Sequence, residues 1–246
     1  PKATLMHKIR FPKELVSIEN SILMDLYIAS VNEILNEVAY PAYLAGMEFS
    51  ISNDSEGIII NISGYDSGLQ LLMDTIIDAL HNINIDEKRF STIMDSQIRN
   101  LDNKSLDDAY TIAIRNGSQI SNKIYFSPED KRNLIESFSL ADVQNFPKAI
   151  YRGVFLEGIA HGNISRKDAL KISTSLRNSL GYRSIGKDEY INQQRIQLNE
   201  GEKVIVQVKS KVNNSAYVSW FNIGGNNPKD QAMAMLIDPF IGQPYS

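Results

Sequence analysis

Cysteine is absent from the 246 residues. That excludes disulfides, thiolate metal sites and a cysteine nucleophile. It leaves the compartment open, because a cysteine-free chain suits the periplasm and the cytoplasm alike. Histidine occurs only as His7, His81 and His161, each on a different predicted element. The helical zinc motif H-x-x-E-H, which sets two imidazoles and a glutamate base on one helix face, does not occur. The chain alone is therefore expected to bind no metal and to hold no catalytic residues. No apolar run approaches the roughly 18–20 residues of a membrane span, and no Lys/Arg cluster marks a phosphate-binding surface. Neither a membrane nor nucleic acid is an expected partner. A G-x-S-x-G nucleophile elbow is also missing. Gly224-Gly225 lacks the further glycines and the lysine of a nucleotide loop.

What is present is 43% hydrophobic residues with 22% charged residues and a net charge of −4. That is enough apolar material for one large domain or one and a half ordinary ones, and the mild acidity serves solubility. The chain opens at Pro1 with no signal-peptide pattern. This start reads as a cut inside a longer protein, with processing of a shorter precursor as the alternative.

The pattern along the chain alternates between the two structural periods. Residues 4–11 read as a strand. Ile18, Ile22 and Leu26, with Leu23, Tyr27, Val31, Ile34, Leu35 and Val38, recur at helical steps behind Ser17, a fitting N-cap. Met47, Phe49 and Ile51 then alternate with polar residues, and Ile58, Ile60 and Ile62 resume the alternation after the turn residues 53–57, which predicts a β-hairpin. Helices are predicted over 67–82, from the cap Asp86 to Leu101, and over roughly 105–125 and 128–150. Residues 153–160 read as a buried strand. Ser165 with Asp168 forms a capping-box variant, and Gly181 is a fitting helix stop. The polar, aperiodic residues 182–194 read as a linker. Strands are predicted near 195–198, 203–210 and 216–223, with Asn213-Asn214 turning the last pair. A final helix begins near Asn227 and Pro228. This order predicts an α+β domain, with a mostly antiparallel sheet and helices packed on one face. It is followed by an incomplete second copy too short to close a core of its own.

Four residues stand out as candidate substrate contacts, each with a plainer alternative. Tyr40 and Tyr43 precede an edge strand to which an extended peptide can add; packing on the core is the favoured reading. His161 and Asn163 flank Gly162 where a strand turns into a helix, and a tight turn accounts for the same residues. The acidic pairs Asp86-Glu87 and Asp107-Asp108 resemble an acid and a base. Neighbouring residues on a helix point about 100° apart, so capping near helix starts is favoured.

Three segments, Glu37–Ile51 (EVAYPAYLAGMEFSI), Ile85–Phe90 (IDEKRF) and His161–Leu170 (HGNISRKDAL), together with Ser215–Ser246, resemble the carboxy-terminal half of the pitrilysin and insulin-degrading-enzyme (insulinase) family of zinc metallopeptidases. They lie in the family's order and span nearly the whole chain. The resemblance implies that residues 1–190 are the third of four homologous domains and that 191–246 begin the fourth. It implies zinc and a glutamate base in a preceding N-terminal catalytic half, which becomes a partner of this segment. It also implies peptide substrates enclosed in a chamber, of which this segment forms wall and positioning surface. The family's R-x-x-x-Q-L-G-Y segment, which helps hold the substrate, would begin just after Ser246. The alternative is a free-standing, non-catalytic subunit or scaffold that pairs with an active homologue.

Overall fold

The computed structural model describes residues 2–180, 183–209, 211–221 and 227–242. Strand β1 (Ala3–Arg10) leads through a short 3₁₀ turn into the long helix α1 (Ile18–Leu44). The hairpin β2 (Glu48–Asp54) and β3 (Gly57–Gly64) comes next. Helices α2 (Asp66–His81), α3 (Glu87–Lys104), α4 (Ala109–Ser121), α5 (Pro128–Leu134) and α6 (Leu140–Ile150) succeed it. Strand β4 (Gly153–Gly162), helix α7 (Arg166–Ser179) and the two-residue strand β5 (Arg183–Ser184) complete the body, and α8 (Pro228–Gly242) lies beyond it. The sheet order is β2-β3-β1-β4-β5. Among the described residues all pairings are antiparallel except β4 with β5.

The alternation predicted for the strands selects the buried face. Leu5, His7 and Ile9 of β1 and Ile58, Ile60 and Ile62 of β3 lie under the helices, fully buried or nearly so. Met6, Lys8 and Arg10 point to the opposite face. Ile22, Leu26, Val31 and Leu35 of α1 and Leu69, Met73, Ile76 and Leu80 of α2 complete the core. At its centre Tyr27 is fully buried. Its hydroxyl donates to the Leu80 carbonyl at 2.5 Å and lies 2.9 Å from the buried Tyr151 hydroxyl. Burial pushes both phenols up in pKa, so they stay neutral and serve only as hydrogen-bonding groups.

The caps fall where the short polar side chains were expected to place them. Ser17 accepts from the Asn20 N–H, Asp86 from Arg89 and Asp108 from Thr111. Asp107 does not cap; it pairs with Arg115 at 2.6 Å. Ser165 accepts from the Asp168 N–H, but the Asp168 carboxylate bonds the Ser165 hydroxyl rather than its N–H. The full reciprocal box occurs instead at Ser139 and Asp142. It starts a fresh helix, which is why the stretch expected to be continuous from 128 to 150 is two helices. The proposed stop Gly181 lies outside the described residues, as do Gly224 and Gly225.

Three further expectations are corrected. Only Gly153 and Val154 of β4 are buried, because among the described residues its outer edge beyond β5 has no neighbouring strand. Residues 183–196 are no free linker. The Ile191 N–H donates to the Phe11 carbonyl, the Lys13 N–H to Glu189, the Lys123 N–H to Gln194 and the Ile196 N–H to Ser121. The Gln193 side chain both donates to and accepts from the backbone of Ile124. Ile185 and Ile191 are buried, an anchoring that polarity of the segment as a whole conceals. The strands expected near 195–198, 203–210 and 216–223 form no ladder among the described residues. Val204, Ile205, Tyr217 and Phe221 stand exposed there.

Glu56 fastens this strap to the sheet. Its carboxylate accepts from Lys8 at 2.5 Å and Arg10 at 2.7 Å, and from the Gln193 N–H at 2.9 Å. Arg10 also pairs with Glu157 and lies 5.0 Å from the Tyr190 ring centroid. Burial works against ionisation of Glu56, but the hydrogen bonds from Lys8 and Gln193 and the two cationic charges outweigh it. They hold the carboxyl below its ordinary value of 4.5. The stability it contributes is therefore complete above that pH and is lost as the pH falls through the lower folded-state value.

Two outcomes are expected. Tyr27→Phe lowers unfolding stability by about 1–3 kcal/mol in urea titrations, because the Leu80 carbonyl and the Tyr151 hydroxyl lose a buried partner. Glu56→Gln is less stable than the parent at neutral pH, and the gap closes as the pH is lowered below 4.5.

Candidate substrate-contact surface

The candidate residues gather at one end of the sheet, the end where β1 begins. The registers place Ala3 opposite Gly64 and Gly162, and Glu48 opposite Ser63. Tyr40 and Tyr43 approach this end from the last turns of α1, on the β2 side. His161 and Asn163 approach it on the β4 side. Three strand spacings separate β2 from β4, about 14 Å. The four residues thus share an end but form two separate patches.

On the β2 side the sequence expectation is overturned. Tyr40 and Tyr43 do not pack on the core; they are 68% and 66% exposed, with Leu44 beside them at 67%. The helical period explains this. Positions 40, 43 and 44 share one face, while Ala42 on another face is buried. Tyr65 adds a fourth exposed apolar side chain, its ring lying over Gly46, where a Cβ would come within 2.8 Å of it. Among the described residues strand β2 pairs only with β3, so it is the edge strand expected after these tyrosines.

On the β4 side the turn reading accounts for the backbone. Gly162 has φ +98°, and a Cβ there would lie 2.6 Å from the Lys2 carbonyl oxygen. The Asn163 N–H donates to that same carbonyl, and the Ile164 N–H to Gly162. His161 is exposed, opposite Thr4. The Asn163 side chain is exposed too, and Ser165, not Asn163, satisfies the helix amide.

The remaining histidines are structural. His7 is buried on β1 beneath α7, with Nε2 2.8 Å from the Ser173 hydroxyl. That hydroxyl donates to the Ala169 carbonyl, so it accepts from Nε2–H. This leaves Nδ1 buried without a partner among the described residues. Burial lowers the imidazole pKa to about 4. His81 sits at the end of α2, its ring 5.5 Å from Tyr151. Among the described residues no three His, Cys, Asp or Glu side chains are grouped to hold a metal ion, and the three histidines do not fit a zinc centre. Also among the described residues, no helix is long and apolar enough to cross a membrane.

Periodicity alone missed one feature, an open groove of about 400 Å³ between β4 and α7. Its signal was present in the strand as small residues at every second position, Gly158, Ala160 and Gly162.

Comparison with known proteins gives the context for this surface. Residues 1–134, more than half of the chain, match the middle or third domain of peptidase M16. The A-factor-processing enzyme of Saccharomyces cerevisiae is 27% identical over 178 residues, covering 72% of this chain and 17% of that protein. The insulin-degrading enzyme of Homo sapiens is 24% identical over 219 residues, covering 87% of this chain and 22% of that protein. The crystal structure of pitrilysin superposes with a TM-score of 0.70 at 22% identity, covering 78% of this chain and 20% of that one. It shares the α+β fold. The chain spans about a fifth of the length of these curated relatives.

Two stability measurements probe the site. Gly162→Ala costs roughly 2 kcal/mol in chemical unfolding, from positive-φ strain and the clash with Lys2. His7 is depressed in the folded state, so its contribution is complete above pH 6.5 and falls away as the pH drops toward about 4. A His7→Gln variant, which keeps a donor for Ser173, shows a flatter decline over that window.

Proposed function

The chain belongs to the peptidase M16 (insulinase) family, as its middle domain, and from that premise we propose that it is a non-catalytic segment of a zinc metalloendopeptidase. Residues 1–190 form the third homologous domain of the parent, and 191–246 open the fourth, whose first residues, up to Ile196, are tied to the third. The exposed apolar residues Val204, Ile205, Val206, Val208, Tyr217 and Phe221 support this division, since none of them joins the buried core. The parent's zinc and its glutamate base belong to an N-terminal half, the partner of this segment. The observation that carries the reading is the match to a zinc-peptidase middle domain in a chain whose histidines sit on three separate elements.

The segment's role is to wall and position. A peptide held in an enclosed space loses translational and rotational freedom before the chemistry, which is the orientation part of catalysis. A closed chamber also excludes folded proteins too large to enter it. Tyr40, Tyr43, His161 and Asn163 are the proposed substrate contacts. The exposed tyrosines suit this role, because rigid amphipathic rings give contact area at low entropic cost.

Zinc analysis and peptide hydrolysis test this on the 246-residue chain and on the full-length protein side by side. The chain alone carries no stoichiometric zinc and cleaves no quenched fluorescent peptide, while the full-length protein does both. Zinc or cleavage in the chain alone overturns the reading. In the full-length protein, Tyr40→Ala with Tyr43→Ala raises KM roughly three- to tenfold and leaves kcat nearly unchanged, the signature of lost uniform binding.

A further inference from the structure

Among the described residues the outer edge of β4 is unpaired over most of its length. Strand β5 covers only Gly153 and Val154, and the Val154 carbonyl accepts from the Ile185 N–H at 3.2 Å. Backbone groups on alternate residues of a strand point to the same side. Gly158, Ala160 and Gly162 therefore turn their N–H and C=O groups away from β1, as Val154 does. The Gly162 carbonyl is taken by Ile164. The other five groups, three donors and two acceptors, have no partner among the described residues.

The same three residues direct their side-chain positions toward α7. Being glycine and alanine, they fill almost none of the space there, and the groove results. Ile164, Ala169 and Leu170 supply apolar walls, with Leu170 55% exposed, and Arg166 stands at the rim. Arg166 has no ion-pair partner among the described residues. The nearest carboxylate in sequence, Asp168, is held 2.5 Å from the Ser165 hydroxyl. On the other face of the strand Ile159 is 66% exposed, opposite the half-exposed Met6.

From these features we infer that the β4 edge and its groove form a binding site for an extended acidic peptide. The peptide adds to the sheet as a further strand alongside residues 158–162. A free edge supplies affinity through main-chain hydrogen bonds, and the flanking groove supplies selectivity at alternate side chains. About five peptide residues span this edge, roughly 17 Å. Side chains turned toward α7 are apolar and of modest size, and an acidic one meets Arg166. An unprotected edge of this kind otherwise invites pairing with other chains. The positive charge on Arg166 at the rim of an otherwise apolar groove makes an acidic peptide the favoured occupant. The assignment rests on the parent acting on peptides, and it is distinct from the β2-side patch.

The test uses zinc-depleted full-length protein and a fluorescein-labelled peptide of about eight residues, with threonine at every second position and, at the groove-facing positions between them, valines followed by one glutamate. Binding is read by fluorescence anisotropy. Arg166→Glu weakens binding roughly three- to tenfold. Ala160→Leu, which fills the groove without altering charge, weakens it comparably. N-methylation of the peptide residues facing the edge weakens it, and methylation of the intervening residues does not. An analogue with lysine in place of the glutamate binds less well than the glutamate peptide. Thermal unfolding midpoints confirm that both variants stay folded. Cleavage of an uncharged reporter peptide is followed in parallel with the zinc-loaded protein. If both variants bind the probe as the parent does, or the lysine analogue binds equally, the groove assignment is overturned. In that case retained cleavage leaves the peptidase reading standing. A concentration-dependent dimer sealed through this edge overturns it as well. Failure of the unaltered full-length protein to cleave any peptide overturns the peptidase reading and this assignment with it.

Discussion

Strand β1 pairs over its whole length with β3 on one side and β4 on the other, so its backbone groups are consumed in both directions. That double pairing joins the start of the domain to its middle and to its end. The hairpin is local in sequence, but the β1–β4 ladder closes a long loop that holds the hairpin and helices α1 to α6. Loop closure on that scale costs entropy that only the packed core can offset. The inward residues Leu5, His7 and Ile9 are all buried, and two of the three are aliphatic.

His7 is the exception on that face. A histidine in the middle of a buried central strand is held by one hydrogen bond to Ser173, and α7 covers it. Gly158 on the neighbouring strand leaves room for the ring, since a Cβ there would lie 3.0 Å from it. The glycine that accommodates His7 is also one of the small residues that open the groove. Packing inside the core and the shape of the outer edge are thus set by the same position.

Much of the architecture was legible from residues 3–101. The period-two and helical runs located β1, α1, the hairpin, α2 and α3, and Ser17 and Asp86 marked two helix starts. Long, strongly periodic segments carry that information redundantly. Elsewhere the local signal competed with tertiary context. The break at Ser139 turned on a reciprocal pair of hydrogen bonds. The strap at 183–196 is polar overall, yet two isoleucines and one glutamine fix it in place. The tyrosines of α1 lie so near its end that burial was decided by what the neighbouring elements leave uncovered. The candidate site was legible only in its residues. Which edge each patch belongs to depends on strand order, which no local pattern encodes.

The anchoring of residues 183–196 has a mechanical meaning. A hinge needs a run of residues whose backbone angles can change without breaking bonds elsewhere. Between Ile185 and Ile196 the backbone is tied in turn to β4, to the residues just after β1, to Glu56 and to the segment following α4. Bending there would sever several of these ties at once. A swing of the downstream chain that leaves these ties intact pivots after Ile196, and the strap then stays with the sheet as an arm of this domain.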